Sequence, residues 1–408
     1  MPLLSIVVAT KNRVPYCISC IESILSLEYP NFELVIQDNT DNFELKKYIH
    51  SRVFDKRLKY QYTPPPFSSI ANFNAALELA TGEYVCMIGD DDGINPEIIE
   101  ATLWAKQNNV DALSGSDFSV TYLWEGTNSP NTLFTNMQGN TLTISSFSGK
   151  GGQIDLEKSL IKFMQNGCTN YLDFNLPKFY HGIIRKNCFE LIKERTGAYI
   201  KGLSPDIYSS IALSFVINKF IKVDYPLTIP GTCGVSSSIK EGSLKNKQSK
   251  NLDDAPHFRD RGYYVWSQEV PKIYTAQTIW ADSGFAAIKE MKRFDLINFF
   301  GKFRLYANIV YFDKSTFKMV INHIIDYRGG IKPLFVFDFF RFFLAIITGP
   351  LIKIFIKKRF FGRILILLKI KKLIILNNII NIEEAMIALG TYRETNKVSL
   401  KNVLPKIS

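Results

Sequence analysis

Apolar and polar positions along the first hundred residues fall into a repeating order of short runs and longer stripes. Leu3–Ala9 is nearly continuous in apolar, often β-branched residues, the pattern of a strand covered on both faces. Polar Thr10–Arg13 interrupts it, and Val14, Ile18, Ile21, Ile24 and Leu25 then recur at helical spacing up to Leu27. Phe32–Gln37 reads as the next strand and Asp38–Asn42 as a turn cluster. The pattern then predicts a helix over Phe43–Arg52, a short strand over Leu58–Tyr62 and an extended loop at Pro64–Pro66. A third helix covers Ser69–Ala80, with Gly82 as its C′ residue. Tyr84–Ile88 is another buried strand and runs directly into Gly89-Asp90-Asp91-Asp92-Gly93. Strand and helix in strict alternation imply a doubly wound, mostly parallel sheet flanked by helices. In such sheets ligands bind beyond the carboxyl ends of the strands. Thr10–Arg13, Asp38–Asn42 and Asp90–Asp92 each follow a strand, so all three clusters are expected at one crevice.

Beyond Ile98 a helix is expected to about Asn109, then a strand over Asp111–Val120. Residues 125–153, rich in Gly, Ser, Thr and Asn, read as a long irregular excursion. Phe179–Ile184 is a further strand, and Ser204-Pro205-Asp206 opens a helix with Ser204 as N-cap and Pro205 at N1. The expected organisation is an α/β domain over 1–235, in two halves at 1–110 and 111–235. A mobile, charge-rich loop over 236–262 and a helical C-terminal region over 263–408 follow.

Charge changes the picture only at that C-terminal region. Of a net +11, nine basic residues lie between Phe339 and Ile382, where there is no acid. They alternate with Phe, Ile and Leu, which suits an anionic membrane surface and argues against nucleic acid as a partner. Leu334–Ile347 is too short for a bilayer span and is broken by Asp338, Arg341 and then Gly349-Pro350. Two interfacial amphipathic helices are therefore expected, with a packing domain covering the catalytic body or a second subunit as the alternative. A homo-oligomer stays open. The 31 Phe and 19 Tyr speak against a disordered chain. Six cysteines, and an opening MPLLSIVVATKNR with no signal-like pattern, lead to the expectation of a reducing cytoplasmic location. Cys17 and Cys20 form a lone CxxC, read as one turn of an amphipathic helix rather than a zinc or redox pair.

Three consecutive aspartates after an apolar strand repel one another unless a cation or strong donors compensate. A hard divalent ion that also touches a substrate phosphate would do so; an acidic turn at a helix N-terminus is the plain alternative. Asp38, at a strand end, is suited to accept hydrogen bonds from a base or ribose, or to close an Asx-turn.

The succession LSIVVATKNR, FELVIQDNTD and ANFNAALELATGEYVCMIGDDDGINPEII resembles glycosyltransferase family 2, with the GT-A (Rossmann-like) fold. The resemblance is strong over residues 3–100 and loose over 101–235. It implies an inverting transferase using a nucleotide-sugar donor, a UDP-sugar first, with Mn²⁺ or Mg²⁺. The acceptor implied is a saccharide or a polyisoprenoid-linked sugar in bacterial surface-polysaccharide or lipopolysaccharide synthesis, met at the inner face of the cell membrane. By the resemblance, Thr10, Asn12, Arg13 and Asn72 belong to the donor site, Asp38 holds the base, and Asp90–Asp92 occupy the DxD region. The first acid of the family's run falls on Gly89, so which two aspartates form the motif pair stays open; Asp91 and Asp92 are read as the metal ligands, with Asp90 and Asp91 on the donor. The catalytic base implied, some hundred residues further on, matches Asp206, with Asp117 and Asp173 in reserve. His181, inside an apolar run, reads as a core or cleft-lining residue, and His257 as a side chain that reaches donor phosphates if its loop closes. A non-catalytic nucleotide-sugar-binding regulator or membrane scaffold is the competing class. A pyrophosphorylase would need a glycine-rich loop after the first strand, and ATKNRVP has no glycine.

Overall fold

The computed structural model describes residues 1–116, 119–127, 138–147, 149–235, 256–327, 335–356 and 372–405. It opens with β1 (Leu4–Thr10), α1 (Val14–Leu25), β2 (Phe32–Asp38), α2 (Glu44–Arg52), β3 (Leu58–Tyr62), α3 (Ser69–Leu79) and β4 (Tyr84–Ile88). These match the predicted alternation to within a few residues. A two-residue strand β5 (Gly93–Ile94), helix α4 (Ile98–Gln107), β6 (Ala112–Ser114), β7 (Val120–Leu123), β8 (Thr141–Ser145), β9 (Gly151–Gln153) and α5 (Leu156–Gln165) follow. Then come β10 (Gly182–Arg185), α6 (Lys186–Thr196), α7 (Pro205–Leu213), β11 (Phe220–Val223), β12 (Thr228–Ile229) and β13 (Gly231–Thr232). The C-terminal part holds α8 (Ala276–Glu290), α9 (Lys302–Phe312), α10 (Phe317–Tyr327), α11 (Phe335–Ile356), β14 (Leu373–Asn377) and α12 (Ile382–Thr395).

The main sheet has eight strands in the order β3-β2-β1-β4-β10-β6-β11-β9. The first four run parallel, whereas β10 is antiparallel to both β4 and β6. The chain order reverses direction across the sheet between β1 and β4, which makes their carboxyl ends the switch point. The strands alternate between two cores: Val7, Val35, Val85 and Met87 face one, and Ile6, Val8, Leu34, Ile36, Cys86 and Ile88 the other. Each such burial contributes about 1.5–3 kcal/mol, so both faces hold the sheet rigid beneath the site. Cys17 and Cys20 lie buried on α1.

Several expectations are corrected. Gly82 has no left-handed backbone; a Cβ there would stand 2.6 Å from Ser5 N, so the glycine permits close approach to β1. The single strand expected over Asp111–Val120 is two, β6 and β7, in different sheets, because the chain turns at Gly115–Ser116 where Ser116 N–H donates to the Tyr225 carbonyl. The excursion over 125–153 contains β8 and β9. Helix α11 runs unbroken through Gly349-Pro350, since Phe342 is buried in the core and tertiary packing offsets the proline's cost of about 3 kcal/mol. The helical C-terminal region is present, but it ends in a strand: β14 pairs antiparallel with β8 in a sheet ordered β13-β7-β8-β14. Beyond it α12 lays Ile382, Ala385, Met386 and Leu389, spaced as one helical stripe, into the core that also holds α1 and β5. Among the described residues no helix is long and apolar enough to cross a membrane. Residues 236–255 of the expected mobile loop, and most of the second expected amphipathic helix, lie outside the described residues.

Candidate functional site

Thr10 closes β1 directly opposite Asp38, its register partner at the end of β2. The Thr10 hydroxyl donates to Asp90 Oδ2 at 2.6 Å, so the ends of β1 and β4 are tied at the switch point. Asn72, on α3, donates from Nδ2 to the Thr10 carbonyl at 3.2 Å and holds the same strand end from below. Asn12 takes a left-handed backbone, φ 58°, which asparagine tolerates better than most residues. Its Nδ2 donates to Asp41 (2.6 Å) and its Oδ1 accepts from Asp41 N–H (2.9 Å), stitching the loop after β1 to the loop after β2. Asp38 is fully buried; it accepts from Thr40 N–H at 2.8 Å, an Asx-turn, and from the Tyr60 hydroxyl at 2.7 Å.

Arg13 enters from the residue before α1 and divides its guanidinium between two carboxylates, Asp90 at 2.9 Å and Asp91 at 2.6 Å. Its Nη2 also donates to Cys233 Sγ at 2.9 Å. Asp91 Oδ2 accepts the Cys233 N–H at 3.1 Å, and the Asp91 carbonyl accepts Trp124 Nε1–H at 2.8 Å. Asp92 faces differently: its two oxygens accept the backbone N–H groups of Gly89 and Gly231, each at 2.6 Å. Gly231 is required there, because a Cβ would fall 1.8 Å from the Asp91 carbonyl oxygen. His181, left-handed at φ 63°, places Nε2 3.6 Å from Asp92 Oδ2 while Nδ1 pairs with the Thr228 hydroxyl at 2.9 Å.

Three carboxylates, each at most 5% exposed, follow one another in the chain, and Asp90 and Asp91 share one guanidinium. Burial pushes Asp90 up to about 7; Arg13 pulls against it and Asp91 adds to it. Burial, then Asp91, pushes Asp92 up to about 8. Burial works against the Arg13 charge, but Asp90 and Asp91 outweigh it and hold the guanidinium firmly protonated. Burial lowers His181 to about 3, so its imidazole is neutral at physiological pH. The excess of buried negative charge over one arginine fits a hard divalent ion. Among the described residues no three His, Cys, Asp or Glu side chains form a preassembled cage.

Asp206 lies in the first turn of α7 and is half-buried. Ser204 stands at the N-cap, but its side chain makes no capping hydrogen bond, so the expected cap is formed in position only. The Tyr180 phenol feels both Asp206 and the triplet: burial raises it well above its ordinary value, and Asp206, Asp92 and Asp90 raise it further. Tyr180 is bridged to Met87 on β4, just before the triplet. Asp173 sits in a 3₁₀ turn over Tyr171–Asp173, and Asp117 lies outside the described residues. His257 pairs through Nδ1 with the Tyr274 hydroxyl at 2.9 Å. The sequence pattern did not point to Gly231, Cys233, Trp124 or Thr228. They come from β7 and the β12–β13 segment, up to 142 residues away from the aspartates they contact, and a contact at that separation leaves no periodicity; only the Pro230-Gly231 turn signal stands near them.

The family model for glycosyl transferase family 2 matches residues 5–149. Over 111 residues, 27% of this chain and 39% of that protein, the chain is 35% identical to the putative colanic acid biosynthesis glycosyl transferase WcaA of Escherichia coli K12. It is 30% identical over 113 residues to the GalNAc(5)-diNAcBac-PP-undecaprenol beta-1,3-glucosyltransferase of Campylobacter jejuni, 26% of this chain and 35% of that one. The matches thus span well under half the length of these curated relatives. Among solved structures, TarS 1-349 of S. aureus in complex with UDP-GlcNAc aligns over 85% of this chain and 89% of its own, with a TM-score of 0.47 and 14% identity. Residues 5–149, the stretch that matches the glycosyl transferase family 2 model, carry the joined ends of β1, β2 and β4.

Proposed function

We propose that the chain is a glycosyltransferase that moves a sugar from a nucleotide-sugar donor, a UDP-sugar first, to a saccharide or polyisoprenoid-linked acceptor in bacterial surface-polysaccharide synthesis. The observation that carries this reading is the meeting of three strand ends at one point: Thr10 on Asp90, Arg13 across Asp90 and Asp91, and Asp38 beside Thr10. The names of the relatives, a colanic acid transferase and an undecaprenol-linked glucosyltransferase, support the pathway class. An acceptor on such a lipid would be met at the inner face of the cell membrane.

In this reading Asp38, held by Tyr60 and Thr40, recognises the base, with Thr10, Asn12 and Asn72 shaping the floor. Asp92 commits both oxygens to Gly89 and Gly231 and so fixes the turn, which leaves Asp91, with Asp90 behind it, as the carboxylate assigned to Mn²⁺ or Mg²⁺. Bound there, the ion would neutralise the departing diphosphate. Arg13 is the counter-charge: it balances Asp90 and Asp91 and, in this reading, passes to a donor phosphate once the ion takes over those carboxylates. Asp206, at the positive end of α7, takes the proton from the attacking hydroxyl on the side opposite the leaving group, which gives inversion.

The test is a mass-spectrometric screen of UDP-, dTDP- and GDP-sugars for Mn²⁺-dependent turnover, with Asp91→Asn beside the unaltered chain. The expected result is turnover of one donor class and a loss on the order of 10²–10³-fold in the variant, the scale of removing one transition-state charge contact. Donor binding with no turnover in either protein would instead favour the non-catalytic regulator or scaffold, and no binding at all would sink the reading.

A further inference from the structure

Helix α11 has two apolar faces, and among the described residues only one is packed against the core. Phe342 is fully buried, Ile346 packs beside it, and Asp338 is 2% exposed on the inner side, where α11 lies against α9. On the outer side Phe337 (65% exposed), Phe340 (66%), Leu344 (48%) and Ile347 (66%) follow one another at intervals of three and four residues, so they form one continuous stripe. Phe343 (39%) extends the stripe sideways: its ring centroid lies 6.4 Å from that of Phe317, which is itself exposed on α10 and is followed by exposed Met319. A surface of this size and aromatic content is rare unless something covers it, since burying each side chain contributes about 1.5–3 kcal/mol.

The charges beside it select the occupant. Arg341, Lys314 and Lys318 are exposed on the same two helices or the turn between α9 and α10. The sequence from 335 to 372 holds nine basic residues and a single acid, Asp338, which faces inward. Two copies of this chain joined face to face would bring like charges together, whereas anionic lipid headgroups would neutralise them at about 1 kcal/mol per cation near the surface. The helix itself does not meet the requirements of a span. We propose that the outer face of α11, continued by Phe317 and Met319 of α10, is the surface by which this protein lies on an anionic bilayer, its phenylalanines entering the acyl boundary and Arg341, Lys314 and Lys318 meeting headgroups. The assignment deepens the proposed function by placing the site that would meet a lipid-linked acceptor, and rests on that reading only for its purpose.

The experiment is co-sedimentation of the full chain with sucrose-loaded vesicles, either phosphatidylglycerol with phosphatidylethanolamine or phosphatidylcholine alone, in the absence of donor. The expected result is binding to the anionic vesicles, at least tenfold weaker binding to phosphatidylcholine, and a tenfold or greater loss in Phe337→Ser/Phe340→Ser. Arg341→Glu should lose binding in the same direction. Both phenylalanines are mostly exposed, so circular dichroism of the variant should be unaltered, and so should donor hydrolysis in solution. Equal binding to both vesicles, or anionic binding untouched by the double variant, would overturn the proposal. So would light-scattering evidence that the double variant dissolves a dimer while neither protein binds vesicles, because that assigns the face to a second copy. Vesicle binding without donor turnover keeps this surface and removes the transferase reading; turnover without vesicle binding does the reverse.

Discussion

At the scale of single residues, the site is defined by negative charge held out of water. Asp90 and Asp92, pushed up to about 7 and about 8 chiefly by burial, keep protons in the folded, donor-free chain that the unfolded chain releases near pH 4. Up to about pH 6.5 the buried, neutral His181 and His257 offset this, because the unfolded chain protonates them; above it the native state binds more protons than the unfolded one, so stability falls as pH rises from about 6.5 to about 8. Urea titrations of the protein in EDTA across that window should show a declining midpoint, and Asp92→Asn should flatten the decline; a midpoint that climbs with pH would contradict the charge balance described. The acidic triplet, Asp38 and Arg13 were legible in the sequence because each stands immediately after a strand or before a helix, where local pattern fixes position. Gly231 and Cys233 were not, because their importance comes from a carbonyl and a guanidinium brought to them by distant chain.

At the scale of elements, the alternation from β1 to β4 was readable because each strand is buried on both faces and each helix carries a regular stripe, signals that need no tertiary information. The later elements were harder. The split of 111–120 into β6 and β7 depends on Tyr225 receiving Ser116, and β14 exists only because β8 offers an edge. Helix α12 shows how far such long-range terms reach. Its Arg393 pairs with Glu97 at 2.6 Å and donates to Asn95 Oδ1 at 3.0 Å, fastening the segment that begins three residues after Asp92. Both side chains are mostly buried, so removing one leaves the other charge uncompensated. Arg393→Ala is expected to cost about 3 kcal/mol in chemical denaturation, with the loss largely absent when Glu97→Gln is combined with it; independent effects of the two changes would mean that the pair does not act as a unit.

At the scale of the whole molecule, residues 372–405 belong structurally with the first α/β half, residues 1–110, although more than 260 residues separate them from its last helix, α4. A side chain at Gly93 would meet Ile382 at 2.7 Å, so α12 backs directly onto the turn that follows the aspartates. Deleting residues 372–408, which leaves the outer face of α11 in place, should therefore disturb the first α/β half itself. It bares Ile382's partners in the core and the edge of β8, and the expected outcome is aggregated protein or a collapsed thermal transition by calorimetry. A truncated chain that melts like the intact one would show the return segment to be dispensable.

That return imposes an order on biosynthesis. The first strand leaves the ribosome long before residues 382–395 exist, and the core between α1 and β5 cannot close until they arrive. Translation at roughly 5–20 residues per second leaves the early half waiting for some tens of seconds with an uncovered apolar flank. Such a flank is the kind of surface chaperones hold, and the turn after Asp92 gains its backing from α12 only after α11 has already been made.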